Sequence, residues 1–235
     1  MYLIVDFGNT RTKSACFENG ELLKVVVHDH LDDWKEWVKS VSYDHVIISN
    51  VAHKKTVESL LPAAIVLTHK LRFPFQNNYT TPDTLGVDRL ALVTGAKSLM
   101  KETQPILVID LGTCITYDFL DEENSYQGGS ISPGVSLRAK SMHTFTQSLP
   151  LVDGAKATNL VGKSTEESLQ SGIYNGVLAE INGVIGRYKN RVGQLEVYLS
   201  GGDAELFESK INHSIFVQPN LALIGLNKIL ELNAE

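Results

Sequence analysis

The chain has 235 residues, 43% of them apolar and 20% charged, which is the profile of a globular protein with enough length for one large core or two small ones. Its net charge of −6, with basic residues scattered, argues against a nucleic-acid surface, which needs clustered lysine and arginine. Cys16 and Cys114 sit in apolar strand contexts without metal-ligand spacing, no apolar run has the length of a membrane span, and the first strand begins beside Met1, so no secretory leader and a cytoplasmic location are expected.

The opening stretch, Tyr2 to Lys13, reads as a strand that delivers Asp6 to a turn at Gly8, with a second strand from Ser14 to Phe17. Glycine lets backbone N–H groups approach an anion closely, Asn9, Thr10 and Thr12 add short donors, and Lys13 adds a positive charge. Such a turn is a phosphate cradle with a carboxylate at its edge, where a hydrated divalent cation fits. By itself an Asp-x-Gly turn is an ordinary hairpin loop. Glu18-Asn19-Gly20 then turns into a third strand, Leu22 to Val27.

Leu31, Trp34, Trp37, Val38 and Val41 follow at helical spacing. His28, Asp29 and His30 lack a further ligand, so no metal site is expected there. His45 to Ser49 is a buried strand, Lys54 to Leu61 a helix stopped by Pro62, and Ala64 to Leu67 another strand. Thr68 to Leu85 is a long irregular loop, of the kind that is often functional. It leads to Gly86-Val87-Asp88-Arg89 and a helix whose apolar positions Val87, Leu90, Ala91, Thr94 and Leu99 predict burial on one side. Two readings stand here. In one, Thr84 caps the helix, Asp88 complements its positive end and Arg89 pairs on the surface. In the other, Asp88 takes a proton from a substrate hydroxyl while Arg89 holds an anionic group.

Glu102 to Pro105 marks the junction between two domains, 1–103 and 104–235. Beyond it the opening pattern recurs 104 positions on, with Asp6, Gly8 and Thr12 falling on Asp110, Gly112 and Thr116, and the same strand, polar turn and strand follow as far as Ile131. A repeat of half the chain length predicts duplicated domains. Gln127 to Gly134 closes a strand and opens a helix to about Thr146, its glycines and serines allowing close backbone approach. Val161-Gly162-Lys163-Ser164-Thr165 imitates the end of a Walker motif, but Ala157 stands where the first glycine belongs and no strand precedes it. The long helix Ser168 to Arg191 carries Gly172, Gly176, Gly183 and Gly186, a small-residue pattern suited to close helix packing between domains or subunits. Leu195 to Leu199 then ends in Ser200-Gly201-Gly202-Asp203, a turn against which a nucleotide can lie, and Ile215 to Val217 and a helix from Leu221 to Leu232 complete the second domain.

Taken together, Asp6-x-Gly-Asn-Thr-x-x-Lys13, Gly86-x-Asp88-Arg89, Asp110-x-Gly-Thr113-x-x-Thr116, Gly128-Gly129 with Ser132-Pro133-Gly134, and Ser200-Gly201-Gly202-Asp203 resemble type III pantothenate kinase, within the superfamily of acetate and sugar kinases, Hsp70 and actin. The resemblance implies an α/β fold of two ribonuclease-H-like domains with mixed five-stranded sheets, with ATP held between them. It implies transfer of the γ-phosphoryl group of ATP to the primary hydroxyl of pantothenate, the first step of coenzyme A biosynthesis. On this likeness Asp6, Gly8, Asn9, Thr10 and Lys13 hold the phosphates and a divalent cation, expected to be Mg²⁺. Thr113 contacts ATP from the opposite side, and Gly201 and Gly202 lie near the adenosine. Tyr79, Gly86, Val87, Asp88, Arg89 and Thr165 bind pantothenate, with Asp88 as the proton acceptor. Asp110 coordinates potassium or ammonium, and the protein is a homodimer, with Thr165 entering the neighbouring subunit's pocket. Two alternatives remain at this point, a kinase of the same superfamily acting on another alcohol or acid and a noncatalytic accessory factor in transcription. The loop from Phe73 to Arg89 and ATP turnover distinguish them.

Overall fold

The structure is a computed structural model that describes residues 1–8, 11–49 and 59–234. Asn9, Thr10 and most of the helix expected over Lys54 to Leu61 lie outside the described residues. The chain separates into two compact units, Met1–Glu102 with Asn220–Glu235, and Thr103–Pro219.

In the first unit, β1 (Tyr2–Phe7), β2 (Thr12–Glu18) and β3 (Glu21–His28) form an antiparallel meander. After α1 (Leu31–Lys39), β4 (His45–Ile48) and β5 (Ile65–Val66) extend the sheet in parallel on the other side of β1, giving the order β3-β2-β1-β4-β5. Leu3, Val5 and Phe7 alternate toward Trp34 and Val38 of α1, while Ile4, Ala15 and Phe17 face the opposite layer. The long loop contains the two-residue strand β6 (Gln76–Asn77) and a 3₁₀ turn, Pro82–Thr84, before α2 (Val87–Leu99).

The second unit repeats the plan. Its meander is β7 (Ile106–Leu111), β8 (Cys114–Leu120) and β9 (Ser125–Pro133), followed by α3 (Val135–Phe145) and the 28-residue α4 (Thr165–Val192). Past α4, β10 (Glu196–Ser200) and β11 (Phe216–Val217) add in parallel beside β7, with the short α5 (Ala204–Phe207) between them. The order of these strands, β11-β10-β7-β8-β9, matches that of the first unit, so both carry the mixed five-stranded arrangement of a ribonuclease-H-like domain.

Pairing corrects the sequence alignment of the two hairpins by one residue. Asp6 pairs with Lys13, whereas Asp110 pairs with Thr116. The first turn has one more residue than the second, so Lys13, and not Thr12, is the counterpart of Thr116.

The last helix, α6 (Leu221–Asn233), was expected to complete the second unit but belongs to the first. Leu223, Leu226, Ile229 and Leu230 cover Ile4, Ala15, Phe17 and Ile47, a sheet face that would otherwise lie bare. Its crossing with α2 is backbone on backbone: a Cβ at Gly225 would lie 1.8 Å from the Ala91 carbonyl oxygen, and one at Gly95 2.2 Å from that of Leu221. Burial along α2 is correspondingly continuous from Arg89 to Ala96 and not confined to one side, while Leu99, expected inside, is exposed.

Candidate active site

Parallel pairing of β1 with β4 brings the carboxyl ends of both strands together, the place where ligands collect in sheets of this kind. Asp6 stands there, and the Ser49 N–H donates to the Val5 carbonyl at 3.0 Å. The Ser49 hydroxyl donates to Asp6 Oδ1. Burial pushes the Asp6 carboxyl above its ordinary range; the Ser49 hydrogen bond and the charge of Lys13 oppose this, and the charge of Asp88 adds to it. Asp6, Lys13 and Asp88 therefore share one electrostatic environment. At the turn, the Gly8 N–H donates to the Arg11 carbonyl at 3.1 Å, and a Cβ on Gly8 would sit 3.0 Å from that same oxygen. Sequence reading missed Ser49; its one signal was a short hydroxyl closing a buried strand.

Gly86 precedes α2 and no side chain caps the helix. The expected cap, Thr84, instead donates its hydroxyl to the Thr81 carbonyl within the 3₁₀ turn. The Asp88 carboxylate folds back so that Oδ1 accepts from the Arg89 N–H at 3.0 Å, and a Cβ at position 86 would lie 2.5 Å from that oxygen. Gly86 is thus what makes room for this carboxylate. Val87 packs against the core cluster that includes Ala91 and Leu226. Arg89 is only 5% exposed, against the reading of a surface pair, and its guanidinium lies 5.9 Å from the centre of the Tyr79 ring, within range of a cation–π contact. Tyr79 is itself held by its N–H donating to Asn77 Oδ1 at 3.0 Å. The first unit thus sets Tyr79 against Arg89, and places Asp88 where its charge, like that of Lys13, acts on Asp6.

In the second unit Asp110 sits opposite Ser200 of β10, repeating the pairing of an acid with a serine at the parallel strand ends. The Gly112 N–H donates to the Cys114 carbonyl at 3.1 Å, and the Gly134 N–H to the Thr113 carbonyl at 3.0 Å. Gly201 has φ +96°, and a Cβ there would lie 2.4 Å from the Leu111 nitrogen, so only glycine lets this turn press against the hairpin. The Asp203 N–H donates to the Leu111 carbonyl at 3.0 Å, while the space beside Gly202 is open. Asp110, Thr113, Gly201 and Gly202 are therefore gathered around residues 111–113.

Thr165 lies elsewhere on this unit, as the exposed first residue of α4, in a recess of about 640 Å³ with Met142, Leu149 and Ser168. The start of α4 is capped in a variant of the capping box: the Glu167 N–H donates to Ser164 Oγ at 3.2 Å, and Glu167 Oε2 accepts at 2.7 Å from the N–H of Lys163, one residue before the cap. Gly162-Lys163-Ser164 thus satisfies a helix end with no strand before it, as expected of a false Walker match.

No group of three or more His, Cys, Asp or Glu side chains that could enclose a metal occurs among the described residues. Asp6 is the carboxylate of this unit that would hold a divalent ion such as Mg²⁺, which is commonly bound through one or two protein carboxylates and would supply positive charge beside the phosphates. At Asp110, a Cβ on Gly112 would make only ordinary van der Waals contact with Oδ2, at 3.5 Å.

Comparison with known proteins gives a consistent answer. Residues 2–187 match the family model of type III pantothenate kinase. A type III pantothenate kinase of Cytophaga hutchinsonii is 40% identical over 235 residues, covering 99% of this chain and 100% of its own. Among solved structures, one from Campylobacter jejuni named for the Baf family of transcriptional activators superposes with a TM-score of 0.66 at 21% identity, covering 97% of both chains. A glucokinase from an Antarctic psychrotroph gives a TM-score of 0.52 at 12% identity over 98% of both chains, which is a likeness of fold.

Proposed function

The chain belongs to the type III pantothenate kinase family, and from that premise we propose that it phosphorylates pantothenate at the primary hydroxyl, at the expense of ATP, as the first step toward coenzyme A. What supports the assignment of roles is placement within one unit: Asp6 at the carboxyl end of β1, held by Ser49, and Asp88 in the first turn of α2, next to the Arg89–Tyr79 contact. In this reading Asp6 serves the phosphoryl side of the reaction and Asp88 the acceptor.

Asp88 accepts the proton of the pantothenate hydroxyl as its oxygen forms a bond to the γ-phosphorus, and the bond from that phosphorus to the bridging oxygen breaks to release ADP. Tyr79, Gly86 and Val87 shape the acceptor pocket, and Arg89, fixed beneath Tyr79, supplies the positive charge for the pantothenate carboxylate. Asp6, Gly8, Asn9, Thr10 and Lys13 bind the phosphates, with Ser49 orienting Asp6. Thr113, Gly201 and Gly202 serve ATP, the glycines along the adenosine. Mg²⁺ at Asp6 would neutralise phosphate charge, and potassium or ammonium at Asp110 would supply a fixed positive charge. ADP release with pantothenate, ATP and a potassium salt tests this reading. Turnover is expected with pantothenate and not with acetate or sugars, and to fall when sodium replaces potassium; turnover with every acceptor but pantothenate would overturn it.

The functional molecule is a homodimer in this reading. Phe145, Leu160 and Val161 of the second unit are 85%, 77% and 74% exposed in one chain, and in this reading the partner subunit covers them. Thr165 shares this unit and would reach the partner's acceptor pocket. A native mass measurement is expected to give twice the 25.9 kDa of the chain, and a monomer at working concentration would contradict it.

A further inference from the structure

The loop from Thr68 to Leu85 leads into the acceptor residues, and a side chain near the end of α6 grips its backbone. Asn233 Oδ1 accepts from the Arg72 N–H at 2.9 Å, and its Nδ2 donates to the Arg72 carbonyl at 3.1 Å. A carboxamide presents one acceptor and one donor to the same residue, as a neighbouring strand would. The second N–H of the amide donates to the Ile229 carbonyl at 2.7 Å, which fixes the orientation of the group on the helix. Aspartate at this position lacks the donors.

We infer that Asn233 is a positioning residue for the acceptor pocket, acting through the loop it fastens; this deepens the reading of Tyr79 and Gly86 to Arg89 given above and rests on it. From Arg72 the loop is packed step by step toward those residues. Leu71 and Phe73 lie on the core beneath α6, and Phe73 stacks on the buried Phe75 at 5.8 Å between ring centres. Asn77 then holds the Tyr79 N–H, and the Tyr79 ring meets Arg89. Near the loop's two ends, His69 Nε2 lies 2.8 Å from Asp83 Oδ1 and draws them together. The same helix crosses α2, which carries Asp88, at the Gly95–Gly225 contact. One helix therefore touches both the loop that presents Tyr79 and the helix that presents Asp88, and sets the spacing of the two. Releasing the clamp returns conformational freedom to the loop, which acceptor binding must then remove.

The test is a comparison of wild type with Asn233→Ala and Asn233→Asp, reading KM for pantothenate, KM for ATP, kcat and amide hydrogen exchange over residues 68–85. Loss of two exposed hydrogen bonds is expected to raise KM for pantothenate by about 3- to 10-fold, leaving KM for ATP and kcat within about twofold, with faster exchange at Arg72. The Asp variant, which sets a carboxylate against the Arg72 carbonyl, is expected to be at least as impaired as the Ala variant. Unaltered KM for pantothenate in both variants, or an equal rise in KM for both substrates, overturns the positioning role. A wild type inert toward pantothenate sinks the functional reading and this role together, whereas an active wild type with unaffected variants sinks this role alone.

Discussion

Asp88→Asn is expected to lower kcat for pantothenate phosphorylation by about 10²- to 10⁴-fold, the range that a positioned general base contributes, while KM for ATP changes by less than about threefold. The substitution is nearly isosteric, and its Oδ1 still accepts from the Arg89 N–H, so the start of α2 is preserved. What it loses is the ability to take the hydroxyl proton. Burial, the main cause that raises the Asp6 carboxyl, is untouched by the change, and only the smaller contribution from the charge of Asp88 is lost, so the substitution does not disfavour the charged form of Asp6. An unchanged KM for ATP then assigns the loss of turnover to the acceptor side. Steady-state kinetics with each substrate varied in turn provide the check, and a variant with near-normal kcat removes Asp88 from the base role.

Gly225→Val is expected to be among the most destabilising single changes in the first unit. A Cβ at this position would overlap the Ala91 carbonyl at 1.8 Å and approach the Gly95 nitrogen at 2.8 Å, and both are backbone atoms that no rotamer change can move. Overpacking in cores costs about 1–3 kcal/mol and sometimes more, and here relief requires α2 and α6 to separate along their crossing. Even Gly225→Ala, which gains about 1 kcal/mol of helix propensity, is expected to lose stability on balance. For a chain of this size each kcal/mol shifts the melting midpoint by about 2–4 °C, so Gly225→Val is expected to melt roughly 5–10 °C lower or to fail to accumulate. Because the same crossing seats the helix that begins with Asp88, activity falls with it. An unchanged or higher midpoint by calorimetry contradicts the backbone contact.

Much of this was legible in the sequence because the protein is a duplication. Asp6 and Asp110 announce themselves by recurrence, and the same strand, polar turn and strand follow each acid, pairing as a meander in both units. The false Walker match at Gly162 to Thr165 was recognisable as well, since the spacing of a first glycine is a local pattern. What sequence did not reveal depends on contacts between distant segments. The apolar stripe from Leu221 to Leu230 demands a cover but does not say which sheet provides it, and adjacency along the chain pointed to the wrong unit. Gly95 and Gly225 each look like a weak spot in a helix until they are seen to face one another. The burial of Arg89 and the hydrogen bond from Ser49 to Asp6 have the same origin, because strand-end neighbours 43 residues apart are set by sheet order. The one-residue offset between the two hairpins was hidden because spacing counts loop and strand residues alike.

In the proposed function, the acids of the first unit serve phosphoryl transfer to one alcohol. The most direct test is to follow the products of the purified protein with ATP, Mg²⁺, potassium and pantothenate by phosphorus NMR. A new phosphomonoester resonance coupled to the pantothenate primary methylene, growing in step with ADP, is the predicted result. ADP formation with free phosphate as the only other product, or no consumption of ATP at all, would contradict the account.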